Sequence, residues 1–202
     1  MEIEGDLEAM LRYRAKAELR KRARGLRATI PPEAIARRSA LLVSRLEGLP
    51  AFATPRSVAL FFPIEGRNEV DVTSLDPWLR ERGARVAYPS IDPETRVMTF
   101  RFVEDPSAME ERGLGFREPS GEDPEARELD VILIPALQID GRGHRIGYGA
   151  GFYDRTLPRF APPALTIVVG FQFQLIAEVP VTEGDVPAGL IVTDERVLEP
   201  ER

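Results

Sequence analysis

Glycine and charged residues are interleaved over one short segment in the second half of the chain. This segment, Asp140 to Arg155, reads DGRGHRIGYGAGFYDR and holds five glycines within eleven positions: Gly141, Gly143, Gly147, Gly149 and Gly151. Glycine lets the backbone approach an anion closely, and free N–H groups at the start of a helix bind phosphate. The spacing matches neither a Walker A loop nor the dinucleotide-binding fingerprint. A flexible turn is the common alternative, but Arg142 and Arg145 favour an anion-binding loop.

Acidic residues near this segment could hold a divalent cation. Asp154 falls in the first turn of the helix predicted after the loop, where an acid can also simply stabilise the helix dipole. Mg²⁺ takes one or two carboxylates together with nucleotide oxygens. Asp185 is a second candidate ligand, although the residues alone do not favour it over Asp140 or Glu183. The chain has no cysteine and a single histidine, His144, which excludes a Cys nucleophile and a multi-histidine metal centre. We expect His144 to be a surface loop residue rather than an acid–base group.

Basic residues are concentrated near the N-terminus. Between Arg12 and Arg27, eight basic residues stand against one acid, Glu18, although the net charge of the chain is −6. Of the 27 basic residues only Lys16 and Lys21 are lysines, and both lie in this segment. Lysine is a compact point charge, whereas arginine is a planar fork. Two interpretations stay open: lysine is used here to meet a phosphate, or a composition bias has left two lysines on a solvated helix.

Helical and strand patterns alternate along the chain. We predict helices over residues 7–28, 32–47, 73–82 and 152–160, and strands over 57–62, 85–88, 97–103, 130–135, 165–170 and 190–193. Residues 118–128 are expected to form a polar loop. Continuous apolar strands that alternate with helices indicate an α/β fold, here a three-layer sandwich with a mostly parallel central sheet and a long basic N-terminal helix. We expect a single domain over residues 1–202. The glycine-rich segment follows the strand at 130–135, where open α/β sheets bind ligands.

The overall composition is that of a globular protein, with 43% apolar and 30% charged residues. No apolar run reaches the length of a membrane span, and the N-terminus lacks the apolar core of a signal peptide. We therefore expect a cytoplasmic protein that does not contact a membrane.

The stretch RIGYGAGFYDR, taken with Lys16 and Arg20 in the N-terminal helix, resembles the 5-formyltetrahydrofolate cyclo-ligase family, also named 5,10-methenyltetrahydrofolate synthetase. The resemblance covers nearly the whole chain and includes Glu69-Val70-Asp71, the strand DVILIP, the segment GFQFQ and Asp185. Such enzymes use ATP and Mg²⁺ to convert 5-formyltetrahydrofolate to 5,10-methenyltetrahydrofolate, with release of ADP and phosphate. The fold and the small-molecule partners expected here are those of that family.

The resemblance also implies a role for individual residues. ATP would be bound by Lys16, Arg20, Arg145, Ile146, Gly147, Tyr148, Gly149, Ala150, Gly151, Phe152 and Tyr153. The folate, with or without a polyglutamate tail, would be bound by Phe62, Glu69, Tyr148, Gly149, Ala150, Gly151 and Phe152. Asp154 and Asp185 would hold Mg²⁺, and Lys16, Arg145 and Tyr153 would act in catalysis.

The chain departs from the family pattern at three places. Position 150 is Ala where the family often has Gly or Lys, and Phe152 replaces a common Tyr, so that a hydroxyl at 152 is not needed here. Gly66-Arg67 lengthens the loop before Glu69 relative to some members of the family.

Two other functions are compatible with parts of the sequence. A different enzyme on a similar α/β scaffold, acting on a phosphosugar or a CoA ester, would use no ATP. A nucleic-acid-binding module could act through the basic helix, but the rest of the chain is acidic and the helix has Tyr13 as its one aromatic residue. We expect no nucleic-acid partner and a monomer.

Overall fold

Short, apolar strands form one twisted sheet at the centre of the protein. The computed structural model describes the backbone of residues 2–201 and the side chains of residues 7–201. The strands in chain order are β1 (Ser57–Ala59), β2 (Arg85–Ile91), β3 (Met98–Phe102), β4 (Glu110–Glu111), β5 (Arg117–Glu118), β6 (Val131–Pro135), β7 (Gln138–Ile139), β8 (Arg145–Ile146), β9 (Leu165–Val169), β10 (Leu190–Val192) and β11 (Val197–Leu198). Seven of them form the sheet, in the order β11-β10-β9-β6-β1-β2-β3.

The five central strands of this sheet, from β10 to β2, are parallel, and the two edge strands, β3 and β11, run antiparallel to their neighbours. The remaining strands form two small antiparallel hairpins, β4–β5 and β7–β8. The predicted α/β architecture with a mostly parallel sheet is therefore confirmed.

Both faces of the sheet are buried, which explains why its strands are apolar at successive positions. In β6, Val131 and Leu133 belong to the core on one face, and Ile132 and Ile134 to the core on the other. Period-two alternation sends neighbouring side chains to opposite faces, so a strand covered on both sides must be apolar throughout. The sheet is accordingly the middle layer of three.

Residues 2–201 contain four α-helices, α1 (Glu2–Ala28), α2 (Pro32–Glu47), α3 (Leu75–Glu81) and α4 (Phe152–Thr156), of which the last three cover the sheet. α2 and α3 cover one face with residues such as Leu46 and Leu79. The opposite face is covered by α4 and the segment after it, through Leu157 and Phe160. Among residues 2–201, no helix has both the length and the apolar character needed to cross a bilayer.

The long helix α1 lies off the sheet and packs on the β7–β8 hairpin. Its apolar contacts are few: Leu19 and Ala23 meet Leu137, Ile146 and Val179 in a small separate core. The same face of the helix carries the buried side chains of Lys16 and Arg27. The face of α1 that packs against the rest of the protein therefore carries basic side chains as well as apolar ones.

Several element boundaries differ from those predicted. The strand predicted over 57–62 ends at Ala59, and Phe61 and Phe62 instead turn toward the ligand-binding end of the sheet. The helix predicted over 152–160 ends at Thr156 and continues only as a 3-10 turn. The strand at 190–192 is not the last one, since β11 follows it. The predicted polar loop at 118–128 begins inside β5, where Glu118 is buried.

Candidate active site

A cavity of about 780 Å³ opens at the carboxyl ends of the parallel strands. The cavity is lined on the side of the sheet by Phe62, which follows β1, and by Pro135, the last residue of β6. Its walls are α1, the tip of the β4–β5 hairpin, residues 182–185, and residues 147–151 between β8 and α4, which we call the glycine loop. This is the end of an open α/β sheet where ligands bind.

Most of the residues implied by the family resemblance line this one cavity. They are Lys16, Phe62, Glu69, Arg145, Gly147, Tyr148, Gly149, Ala150, Gly151, Phe152, Tyr153, Asp154 and Asp185. Two do not line it. Arg20 lies beneath the glycine loop and donates from Nε to the carbonyl of Gly147 at 3.0 Å. Ile146 is 1% exposed and packs against α1, so its side chain supports the loop from the core rather than contacting a nucleotide.

The glycine loop has the open backbone expected of an anion cradle. Gly149 and Gly151 have φ values of +104° and +66°, in the left-handed region that favours glycine. A Cβ built on Gly149 would lie 3.3 Å from Cζ of Arg20. Within the part of the chain that the structure describes, the amide groups of residues 148–151 donate no hydrogen bond to protein. These N–H groups are therefore free to meet a ligand anion.

The charged residues of the cavity form two opposite-sign pairs. Lys16 is 5% exposed, and its ammonium group donates to Asp185 and, at 2.6 Å, to Oγ1 of Thr182. Arg145 donates from Nη2 to Oδ1 of Asp154 at 2.7 Å and from Nη1 to the carbonyl of Val186 at 2.6 Å. The two cations predicted to bind phosphate thus hold the two carboxylates predicted to bind Mg²⁺.

The carboxylates suit a cation that brings further oxygen ligands with it. Asp154 receives its hydrogen bonds at Oδ1, and Asp185 receives its hydrogen bonds at Oδ2, so each leaves one oxygen without a protein donor among the described residues. No cluster of three or more His, Asp or Glu side chains suited to a metal occurs within residues 7–201. Mg²⁺ commonly uses one or two carboxylates with substrate phosphates and waters, so this donor set fits a phosphate-bound Mg²⁺.

Asp140, which the sequence left as a possible metal ligand, has a structural role, and His144 lies beside it. Asp140 is 1% exposed and accepts from the backbone amides of Arg142, His144 and Val179. His144 does not line the cavity, and its Nδ1 lies 3.4 Å from Oδ2 of Asp140. His144 lies in a loop, and its side chain is half-buried, with 19% of it exposed.

A second polar cluster of the cavity surrounds Glu69. Oε2 of this buried carboxylate accepts from the amide of Ile64 at 2.8 Å, and Oε1 accepts from the hydroxyl of Tyr148. Arg27, which the sequence analysis did not single out, donates to the same hydroxyl and places Nη2 3.4 Å from Oε1. Burial and the negative charge of Glu69 raise the pKa of Tyr148, so its phenol keeps its proton at neutral pH.

Tyr153 extends from the first turn of α4 into the wall of the cavity. Its ring centroid lies 6.2 Å from that of Phe100. Burial raises the pKa of the Tyr153 phenol, which therefore stays neutral at physiological pH. The protonated hydroxyl can donate a hydrogen bond.

Apolar residues that line the same cavity suit a flat aromatic ligand. Phe62 packs on Tyr88 with ring centroids 5.2 Å apart, and Leu114 and Phe116 come from the β4–β5 hairpin. Glu118 fixes this hairpin to the sheet by accepting from the amide of Ile91 at 2.7 Å. Burial raises the pKa of Glu118. Sequence analysis missed the hairpin because two-residue strands carry no periodic signal.

Comparison with known proteins agrees with this geometry. The model of the 5-formyltetrahydrofolate cyclo-ligase family matches residues 12–194. The chain is similar to the 5-formyltetrahydrofolate cyclo-ligase of Mycolicibacterium smegmatis, with 32% identity over 189 residues, 91% of this chain and 95% of that protein. It is also similar to the enzyme of the same name from Escherichia coli strain K12, with 31% identity over 162 residues, 77% of this chain and 87% of that protein.

The fold is likewise similar to a solved structure. The NMR structure of Aquifex aeolicus 5,10-methenyltetrahydrofolate synthetase superposes with a TM-score of 0.80 at 30% identity and covers 93% of each chain. The family model spans all of the cavity residues described above, from Lys16 to Asp185. On sequence and on structure, the chain belongs to the 5-formyltetrahydrofolate cyclo-ligase family.

Proposed function

We propose that this protein converts 5-formyltetrahydrofolate to 5,10-methenyltetrahydrofolate, using ATP and releasing ADP and phosphate. The names of its relatives support this reaction. The observation that carries the proposal is one cavity that combines two kinds of lining. Free loop amides and two ion pairs suit the phosphates of a nucleotide, and the Glu69 cluster with its aromatic neighbours suits a folate. The two sets of residues adjoin, because Tyr148 of the glycine loop donates to Glu69.

The chemistry requires activation of a poor leaving group. The formyl oxygen on N5 belongs to an amide, so it does not leave readily. Transfer of the γ-phosphoryl group of ATP to this oxygen makes it a phosphate ester, N10 then attacks the formyl carbon to close the ring, and phosphate departs with the oxygen. No protein nucleophile is needed, in agreement with a chain that has no cysteine. The protein has to align the two substrates and stabilise the developing charge.

We assign binding of the nucleotide to Lys16, Arg145 and the glycine loop. In this proposal the loop amides bind phosphate oxygens, and Lys16 and Arg145 turn from their carboxylates toward the phosphates. Tyr153 donates a hydrogen bond to the transferring group, because its phenol stays protonated. Arg20 holds the loop through its bond to Gly147. Phe62 and Glu69 bind the folate, with Phe152 at the boundary between the two substrates.

Asp154 and Asp185 are the residues that would hold Mg²⁺, which when bound neutralises part of the phosphate charge. Each carboxylate has one oxygen without a protein donor among the described residues.

The other two functions considered from the sequence receive less support. Three basic residues of the N-terminal segment, Lys16, Arg20 and Arg27, are turned toward the protein interior and away from any nucleic acid. A cytoplasmic location, a monomeric state and acceptance of polyglutamate tails stay predictions.

The experiment measures ADP formation by the purified protein with ATP and Mg²⁺, in the presence and absence of 5-formyltetrahydrofolate. We expect ADP only when the folate is present, with one 5,10-methenyltetrahydrofolate formed per ADP. ADP formation that does not depend on the folate would contradict the proposal. A salt titration of RNA binding, run in parallel, tests the nucleic-acid alternative.

A further inference from the structure

Arg27 is a buried cation that no step of the proposed reaction uses. It lies in the last turn of α1, is 3% exposed and does not line the cavity. Its Nη2 lies 3.4 Å from Oε1 of Glu69 and donates to the hydroxyl of Tyr148, while its Nε has no hydrogen-bond partner among the described residues. A buried guanidinium with an unsatisfied donor destabilises a protein, and an apolar pair of similar size is often more stable than a buried ion pair. The stability of the fold therefore does not explain why an arginine is buried at position 27.

The negative charge of Glu69 explains the buried arginine. The carboxylate is 7% exposed, and Arg27 is the one cation that forms an ion pair with it within residues 7–201. A buried carboxylate without a counter-ion is strongly disfavoured. A neutral N–H group of a bound folate would bring a hydrogen-bond donor to Glu69 but no positive charge. The neutralising charge must therefore come from the protein, and Arg27 supplies it.

The backbone reinforces this arrangement. The side-chain amide of Asn68 donates to the carbonyl of Arg27 at 3.0 Å and to that of Ile30 at 2.9 Å. Because Asn68 precedes Glu69, these two hydrogen bonds tie the turn that presents Glu69 to the end of α1. Asn68 itself has a φ of +51°. The position of Glu69 thus depends on several contacts between the end of α1 and the loop after β1.

We propose that Arg27 is a positioning residue of the folate site, which pairs with the carboxylate of Glu69 and holds it in place so that it accepts from a neutral N–H group of the ligand. The inference rests on the proposed function, because it takes the folate as the ligand of Glu69. It makes Arg27 a determinant of specificity for ligands that are neutral at the end bound by Glu69.

The test measures the affinity for 5-formyltetrahydrofolate alone, by fluorescence titration without ATP. Arg27→Gln should weaken binding by about tenfold or more, since removal of one partner of a buried charge pair is costly. Arg27→Lys retains the charge and should recover most of the affinity. Arg22→Gln is the matched control, because Arg22 lies on the same helix with its side chain 72% exposed, and it should match the wild type. Arg27→Gln binding within twofold of the wild type would overturn the proposal.

A double-mutant cycle separates positioning of Glu69 from a purely structural role. Glu69→Gln removes the charge that Arg27 neutralises, so adding Arg27→Gln to it should change the affinity by less than about twofold. The same tenfold loss in both backgrounds would show that Arg27 acts independently of Glu69 and would refute the proposal. If Arg27→Gln alone does not fold, the comparison of Glu69→Gln with Glu69→Gln/Arg27→Met still decides, because neither variant retains the buried ion pair.

Failure of the proposed function gives a different result from failure of this inference. Wild-type protein that does not bind 5-formyltetrahydrofolate refutes the folate assignment itself. Wild-type protein that binds the folate, with an unaffected Arg27→Gln variant, refutes only the role of Arg27.

Discussion

At the scale of single residues, the two ion pairs of the cavity account for why metal and nucleotide should bind together. Lys16 forms an ion pair with Asp185, and Arg145 forms one with Asp154. A divalent cation that arrives alone must compete with these groups. A cation that arrives with phosphates offers Lys16 and Arg145 new anionic partners in exchange. We therefore expect weak metal binding without nucleotide and strong binding with it.

Lys16→Met tests this competition directly. Loss of the ammonium group leaves Asp185 without its counter-ion, so binding of Mn²⁺ alone, a spin-active substitute for Mg²⁺, should tighten by about fivefold or more. Binding of a non-hydrolysable ATP analogue should weaken in the same variant. Electron paramagnetic resonance titration measures the free Mn²⁺. Lys21→Met is the matched control: Lys21 is the other lysine of the chain, lies on the same helix and is exposed, so its replacement should change neither affinity. Equal Mn²⁺ affinities of the wild type and Lys16→Met would contradict the competition.

The residues of the site were predictable to the extent that they carry a local signal. Lys16 and Arg20 share a helix face, and the burial of Lys16 with the exposure of Lys21 follows from helix geometry. Arg27 was missed, although it lies eleven residues after Lys16 and so only about 20° away around the helix. Its partner Glu69 is 42 residues further along the chain, and no local pattern shows that the two meet.

At the scale of elements, the glycine loop owes its shape to residues that tolerate positive φ. Gly149→Ala should destabilise the protein by about 1 kcal/mol through backbone strain, and should also reduce turnover because its new methyl group meets Arg20 beneath the loop. Gly83→Ala is the control, since Gly83 has a φ of +82°, open space around it and a place at the end of α3 away from the cavity. It should cost similar stability and leave turnover unchanged. Thermal unfolding and steady-state rates of both variants provide the measurement, and equal rates would mean that the loop does not contact substrate.

The elements themselves were predicted where burial imposes a strong pattern. The parallel strands were located from their continuous apolar runs, and the polar–apolar alternation of β3 also gave a correct strand. The β4–β5 and β7–β8 hairpins were not predicted, because two paired residues per strand leave no period to detect. Phe61 and Phe62 were assigned to β1 since they are as apolar as the strand. They are apolar for a different reason, because they line the cavity.

At the scale of the whole molecule, α1 joins three separate loops into one site. Arg12 donates to the carbonyl of Val181 at 2.8 Å, Lys16 reaches Thr182 and Asp185, Arg20 holds the glycine loop, and Arg27 contacts Glu69. Apart from the small core around Ala23, these contacts are polar. The docking of α1 is thus less stabilised by apolar burial than the sheet, and elements of this kind open locally at lower free energy. Ligands that bind between α1 and the loops should close it.

Binding of a non-hydrolysable ATP analogue with Mg²⁺ should therefore stabilise α1 more than the rest of the protein. At a hundredfold excess over Kd, the ligand adds about 2.7 kcal/mol, which corresponds to a rise in Tm of about 5–10 °C for a chain of this size. Hydrogen exchange should slow most at residues 16–27 of α1 and in the glycine loop, because both contact or support the nucleotide. Residues 35–46 of α2 are the internal control, since that helix packs on the sheet with Leu42 and Leu46 fully buried and does not line the cavity. Uniform slowing across α1 and α2 would show that the ligand stabilises only the fold as a whole, and that α1 is not the element that closes the site.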